Sequence, residues 1–280
     1  MKLLFALLAG LCIVTTVQAQ YTDTTISPKP KREQVYKIKP WLDIPLTAAM
    51  SGWTLYGFSV VYGRDTVPFA ELQALDRNKI NSFDRGTTKN YNTSAKSASD
   101  YFFYGSMPLP LILLFDKKIR RDGPRVGLLY LEALSMTGTI YTLSAMSANR
   151  FRPYAYNPDV QLATRTRGGA RNSFFGGHAA VVGTSTFFMA KVYADYHPEM
   201  RNKWILYSVA GAATLTTGIL RVKAGQHFPT DVLVGMAIGP VVGVLVPHFH
   251  KNKNKERKLA LYPNFQKDAT GFTALYKLGK

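Results

Sequence analysis

The sequence predicts an all-α protein, a membrane-embedded helical bundle of five or six core helices. Two observations carry that prediction. Six apolar stretches recur, at about Trp41–Tyr62, Tyr101–Phe115, Val126–Ala148, His178–Ala194, Trp204–Leu220 and Val232–Val246. Each is helix-sized, and several are shorter than the ~20 residues that cross a bilayer upright. Lys and Arg residues gather beside these stretches within a net charge of +18. That pattern suits an anionic membrane surface, and no nucleic-acid-binding module is present. At 280 residues, 46% hydrophobic and 19% charged, the chain suffices for one sizeable domain. Its mean hydropathy of −0.06 requires substantial polar ends and loops around any bundle.

Taken in order, Met1–Gln20 reads as a secretory signal. Lys2 gives the positive start, Leu3 to Val14 the apolar run, and Val17-Gln18-Ala19 a small-residue cleavage site, so that residues 1–19 would be removed. An uncleaved anchor is the alternative. Cys12 is the only cysteine, and Ala9-Gly10-Leu11 before it does not form a lipoprotein box. Cleavage therefore leaves no thiol and excludes a thiol mechanism. Residues 20–40, rich in Lys, Thr and Pro, read as an exposed polar leader.

The helical domain is expected over 41–247. Between the first two stretches, Gly63–Asp100 is a mixed-charge loop, with a short amphipathic helix at Leu72–Ile80 and an irregular segment at Thr87–Ser99. Pro108 and Pro110 interrupt the second stretch, and Glu132 and Lys191 give the third and fourth a polar side. Trp41, Tyr101, Phe102, Tyr104 and Trp204 stand at segment ends, as interfacial anchors or as core. Residues 248–280 form a basic tail, strongest from Lys251 to Lys258. Its Leu259–Tyr262 and Phe272–Leu278 read as a hairpin around Gly271. No internal repeat is visible.

Charge supplies an orientation. Lys117, Lys118, Arg120, Arg121 and Arg125 mark their loop as cytoplasmic. The 149–177 loop and His227 then lie outside, and the tail inside. The first stretch conflicts with this scheme, because a cleaved signal starts the chain outside. Either Trp41–Tyr62 does not cross, or the first twenty residues are retained, or the protein is partly embedded. Asp43 and Pro45 favour a segment that packs on the bundle or lies at the interface.

Three helix ends carry chemistry. Arg221, His227 and Asp231 stand in Arg-Val-Lys-Ala-Gly-Gln-His-Phe-Pro-Thr-Asp. Asp231 can grip His227 Nδ1–H and leave Nε2 free, while Arg221 offers a guanidinium fork for phosphate oxygens. Arg150 and Arg152, beside Pro153, make a basic loop that can clamp an oxyanion. Gly176 and Gly177 open a helix whose amides can approach an anion, with His178 placed to pass a proton to a leaving oxygen. Taken singly, each of these is also an ordinary helix cap or an interfacial basic residue.

Together they resemble the type 2 phosphatidic acid phosphatase superfamily, which includes bacterial acid phosphatases and vanadium haloperoxidases. Its pattern is Lys-x6-Arg-Pro, then Pro-Ser-Gly-His, then Ser-Arg-x5-His-x3-Asp. Arg152-Pro153, Gly177-His178 and Arg221-x5-His227-x3-Asp231 match it in order, within about Tyr101–Val246. The chain departs at Ala145 for the lysine, Phe175 for the proline, Gly176 for the motif serine and Leu220 for the serine before arginine. Arg150 can replace the first lost charge, and the Gly176 amide part of the second contact.

The resemblance implies a haloperoxidase-like helical fold and a two-step phosphatase. His227, oriented by Asp231, attacks phosphorus, and His178 protonates the leaving oxygen and then activates water. Arg152, Arg221 and the Gly176 and Gly177 amides hold the charge. It implies no metal or other cofactor, and His197, His248 and His250 read as solvent-exposed terminal histidines. The implied substrate is a membrane lipid phosphate, such as phosphatidic acid, an isoprenyl pyrophosphate or a lipid A phosphate. The site would face the periplasm from a bacterial inner membrane. Non-catalytic lipid binding and phosphotransfer are the alternatives, with haloperoxidase chemistry more distant.

Overall fold

Proline and capping residues start the helices where apolar sequence begins, and glycine or asparagine ends several of them. The computed structural model describes residues 34–252, 259–266 and 269–276. The signal-peptide assignment, most of the leader and most of the basic run after Lys251 lie outside the described residues.

Helix α1, Pro40–Tyr62, begins with proline at its first position, and Asp43 Oδ2 accepts the Lys39 amide at 2.6 Å. It closes with the Gly63 amide on Ser59 O. Helix α2, Thr93–Ser106, starts at Asn92, whose side chain accepts the Ala95 amide at 2.8 Å. The segment expected to be irregular at 87–99 is therefore a 3₁₀ turn at Gly86–Lys89 followed by two turns of α2. The second apolar stretch is not one helix either. Pro108 and Pro110 remove backbone donors, and Leu109–Phe115 continues as a 3₁₀ segment. In the preceding loop, the expected helix at Leu72–Ile80 is displaced to Phe69–Gln73, with a 3₁₀ turn at Arg77–Lys79.

Helix α3, Gly123–Ala148, ends at Asn149, whose φ of 41° turns the chain out of the helix. Helices α4, Gly177–Tyr196, α5, Lys203–Lys223, and α6, Pro229–His250, follow. Strands β1, Leu259–Gln266, and β2, Ala269–Tyr276, pair antiparallel. The hairpin expected in the tail is present with longer strands, Gln266 pairing with Ala269 at its end. Gly271 lies within β2, opposite Asn264.

Small residues let the helices touch. Along α6, a Cβ on Gly235, Gly239 or Gly243 would meet the carbonyl oxygens of Gly176, Ala180 and Thr184 at 2.3, 2.2 and 2.5 Å. The α4–α6 seam is thus backbone against backbone over two turns. Helices α1 and α3 share a similar seam. Gly57 lies against Thr142 and Gly138 against Thr54, with Ser51 Oγ and Ser135 Oγ bonded at 2.7 Å.

The contacts Ser51–Ser135, Gly57–Thr142 and Arg64–Ala145 advance together, so α1 runs parallel to α3 along its length. Of the two placements expected for the first stretch, it takes the one in which it packs on the bundle. Asp43 is buried against His250, and Pro45 stands near the helix start, where a missing donor costs less. The start of α1 lies at the basic end of the bundle. Tyr36 donates to Asp195 near the end of α4 and pairs with Lys251.

Leu129, Ala133, Phe188, Val192 and Val246 fill the core toward that end. Val61, Tyr141, Ala145, Phe175 and Ala180 fill it toward the other. Outward, α1, α5 and α6 expose Leu55, Val209, Leu215, Val241 and Leu245. The segment 123–156 and the helices α5 and α6 are long and apolar enough to cross a membrane. The protein is a membrane-embedded helical bundle.

Candidate active site

The ends of α3 and α5 and the starts of α4 and α6 meet at one end of the bundle, closed by the loops at 63–92, 149–176 and 224–228. The 224–228 loop is tightly held. Gly225 has φ +67°, a Cβ on it would meet Asn90 O at 2.0 Å, and its carbonyl accepts the Tyr154 amide at 3.0 Å. Glycine is required there by both conformation and space.

His227 follows on this loop, only 1% exposed. Its Nδ1 lies 2.6 Å from Ser173 O. A carbonyl only accepts, so Nδ1 carries the proton and Nε2 keeps its lone pair. Burial, then Arg152 and Arg221, lower the His227 pKa well below the ordinary value. The ring is therefore neutral at physiological pH, as a nucleophile must be.

Asp231 does not grip His227, which corrects the sequence expectation. As the third residue of α6, its carboxylate folds back over the helix start. Oδ2 accepts the Phe228 amide at 2.9 Å and Ser173 Oγ–H at 2.6 Å, and Oδ1 accepts from Arg150. Asp231 thus holds the loop segment whose carbonyl holds the imidazole. Arg150 is likewise not a cavity residue. It bridges Asp231, Thr230 and Asp84, with NH2 2.7 Å from Asp84 Oδ2. Asp84 also caps α6 through the Thr230 amide and hydroxyl. Burial works to raise the Asp84 pKa, but hydrogen bonds from Thr230, Asn81 and Arg150 prevail and lower it.

The glycine amides are also taken. Gly176 N–H donates to Asp231 O and Gly177 N–H to Phe175 O, both at 2.8 Å. The next first-turn donors of α4 are the amides of His178 and Ala179. A Cβ on Gly176 would meet Val232 Cα at 3.0 Å, so a serine would press on α6 there.

Arg152, Gly177, His178, Arg221 and His227 line one cavity of about 570 Å³, a size suited to a small-molecule site. Arg152 donates to Gln226 Oε1, and its Nε to Asn172 O at 3.3 Å. Arg221 is 2% exposed. Its Nη1 reaches Asp100 Oδ1 at 3.1 Å, while its buried Nε has no partner among the described residues. Leaving a buried guanidinium N–H unpaired is costly, and an anion in the cavity would satisfy it. Part of the remaining wall is apolar, with Leu55, Phe58, Phe103, Met107, Leu131 and Val181, and Lys96 and Asp100 also line it.

Several residues here were not evident from sequence. Ser173, Asp84, Gln226, Lys96 and Asp100 act through contacts across the chain; only the four-residue spacing of Lys96 and Asp100 was a local signal. His178 Nε2 lies 3.1 Å from Asp100 Oδ1, and its ring stacks on Phe103. His197 and His250 are not free in solvent. Their Nε2 atoms face Asp116 at 3.3 Å and Asp43 at 3.4 Å. Among the described residues, no group of three or more His, Cys, Asp or Glu is arranged to hold a metal ion.

The depressed His227 pKa fixes a pH dependence. The unfolded chain binds a proton below about 6.5 that the fold excludes, so this contribution to stability is full above that pH and lost below it. Wild-type unfolding temperature should therefore fall more steeply between pH 7.5 and 5.5 than that of His227→Gln. The differential is at most ~1.4 kcal/mol per pH unit, and parallel curves would show that His227 does not titrate this way.

Residues 126–255 match the family model described as the PAP2 superfamily. The chain is also similar to the structure of the first transmembrane PAP2 type phosphatidylglycerolphosphate phosphatase from Bacillus subtilis. The identity is 20% and the TM-score 0.47, over 75% of this chain and 98% of that chain. No curated protein matches the sequence.

Proposed function

We propose that the chain is a metal-independent phosphatase that removes phosphate from a lipid-linked phosphate or pyrophosphate through a phosphohistidine on His227. The observation that carries the reading is the fixed tautomer of His227, with Nε2 as the free ring nitrogen in a cavity that also holds two guanidinium groups. The PAP2 segment spans the helix ends that carry these residues.

In the first step, His227 Nε2 forms a bond to phosphorus as the bond to the leaving oxygen breaks. His178 gives that oxygen a proton. In the second, water attacks phosphorus, His178 takes its proton, and the P–N bond breaks to free phosphate and His227. Arg152, Arg221 and the first-turn amides of α4 hold the spreading negative charge. Asp231, braced by Arg150, positions Ser173 and through it the imidazole. The apolar wall suits the first carbons of a lipid chain, which makes the substrate a membrane amphiphile.

We place the cavity on the outer face, in the periplasm of a bacterial inner membrane, because the Lys117–Arg125 cluster lies at the opposite end of α3. That orientation keeps Tyr36 inside, so it and translocation of the 1–19 signal exclude one another.

The test is phosphate release by the purified protein from long-chain lipid mono- and diphosphates in mixed micelles. Release should persist in excess chelator and be blocked by orthovanadate. No release from either substrate class, or activity restored only by added metal, would defeat the reading.

A further inference from the structure

We infer that Lys96 supplies the third positive charge of the phosphate site, the ammonium that position 145 lacks, held ready by Asp100 until an anion arrives. The inference rests on the proposed function for its substrate, and on the geometry of α2 for the residue.

A phosphomonoester dianion carries its two negative charges over three terminal oxygens, and these stay charged through the transition state, so cations beyond one guanidinium pair are expected around them. Arg150 and Arg64 do not provide one. Arg150 is bonded to Asp84, Thr230 and Asp231. Arg64 bonds Asn172 Oδ1 at 2.7 Å and Ala145 O at 2.8 Å, beside the very position without the lysine. Neither lines the cavity, whereas Lys96 does, with Arg152 and Arg221.

Lys96 and Asp100 lie one turn apart on α2 and pair at 3.0 Å, the lysine side chain half-exposed. Asp100 Oδ2 accepts from Lys96, while Oδ1 takes both Arg221 NH1 and His178 Nε2 at 3.1 Å. One carboxylate thus collects the donors that a phosphoryl group needs, and it presents the same acceptor chemistry. Three cations against this one carboxylate leave a surplus of two positive charges in the cavity, the charge of a phosphomonoester dianion. A phosphoryl group entering between Arg221 and Lys96 takes their donors from Asp100. Asp100 then keeps its bond to His178 and orients the proton donor.

The experiment compares full-length wild type, Lys96→Met and Lys96→Arg in detergent. Orthophosphate affinity is read by binding and turnover by release from a soluble short-chain phosphomonoester. Lys96→Met should weaken orthophosphate about 10-fold and lower kcat/KM about 10- to 100-fold, with unchanged unfolding temperature. Lys96→Arg should retain most of both. Equal orthophosphate affinity in wild type and Lys96→Met overturns the inference, as does a loss that Lys96→Arg shares and that tracks lowered stability. The two readings fail separately. A wild type that binds orthophosphate through Lys96 but hydrolyses nothing sinks the phosphatase alone, and an active enzyme indifferent to Lys96→Met sinks only this assignment.

Discussion

Replacing His227 with alanine is expected to abolish turnover, lowering kcat by about 10⁴- to 10⁶-fold, the scale on which a lost nucleophile is felt. Nothing nearby can take over. The other imidazole of the cavity, His178, points its Nε2 at Asp100, and a water held by the freed Ser173 carbonyl is a far weaker nucleophile than a neutral imidazole. Arg152 and Arg221 stay in place, so orthophosphate binding should survive with at most a few-fold change. That split separates the loss of a nucleophile from the loss of the site. The chemical signature is an acid-labile, base-stable phosphoryl adduct, trapped from wild type by rapid quenching and missing from the variant. Turnover by His227→Ala at the wild-type rate would remove His227 from the reaction.

The second large effect is on folding. Gly239→Val should prevent recovery of monodisperse protein, a destabilisation of more than about 4 kcal/mol. The first atom added meets the Ala180 carbonyl oxygen at 2.2 Å and its carbon at 2.8 Å. Both belong to the backbone of α4, so no rotamer change relieves the overlap, and α6 must move away along the whole seam. Gly235 and Gly243, one turn either side, then lose their approach to Gly176 and Thr184. The same displacement carries Asp231 off Ser173, so any residual protein should be inactive as well. Gly127→Val in α3 is the control, since a Cβ there meets nothing within 4 Å; it should cost no more than the ordinary penalty of a β-branched residue. A folded, active Gly239→Val would show that the seam tolerates separation.

Much of this architecture was legible because apolar runs mark buried or lipid-facing helices whatever their partners. Five of the six stretches became single long helices with ends within a few residues of those expected. The second failed because Pro108 and Pro110 split it and its true start, Thr93–Ser99, is polar: Asn92 caps a helix that hydropathy does not announce. The site was legible where its groups sit on the motif itself, as with Arg152, His178, Arg221 and His227. It was not legible where the partner is distant in sequence. Asp84 and Thr230 are 146 residues apart, and Ser173 reaches His227 through a carbonyl, which every residue has. Asp231 shows the limit most clearly. Its spacing from His227 permits contact, but an acid at the third position of a helix finds the amide three residues back first.

The parallel course of α1 and α3 has a consequence for the cell. Tyr36 and Lys251 pair at one end of the bundle, and Arg152, His178, Arg221 and His227 line the cavity at the other. An epitope inserted just ahead of Tyr36 therefore tests the proposed sidedness: the proposed outward-facing site requires that antibody or protease reach the tag only from the cytoplasmic side, and a tag reached from outside would reverse it.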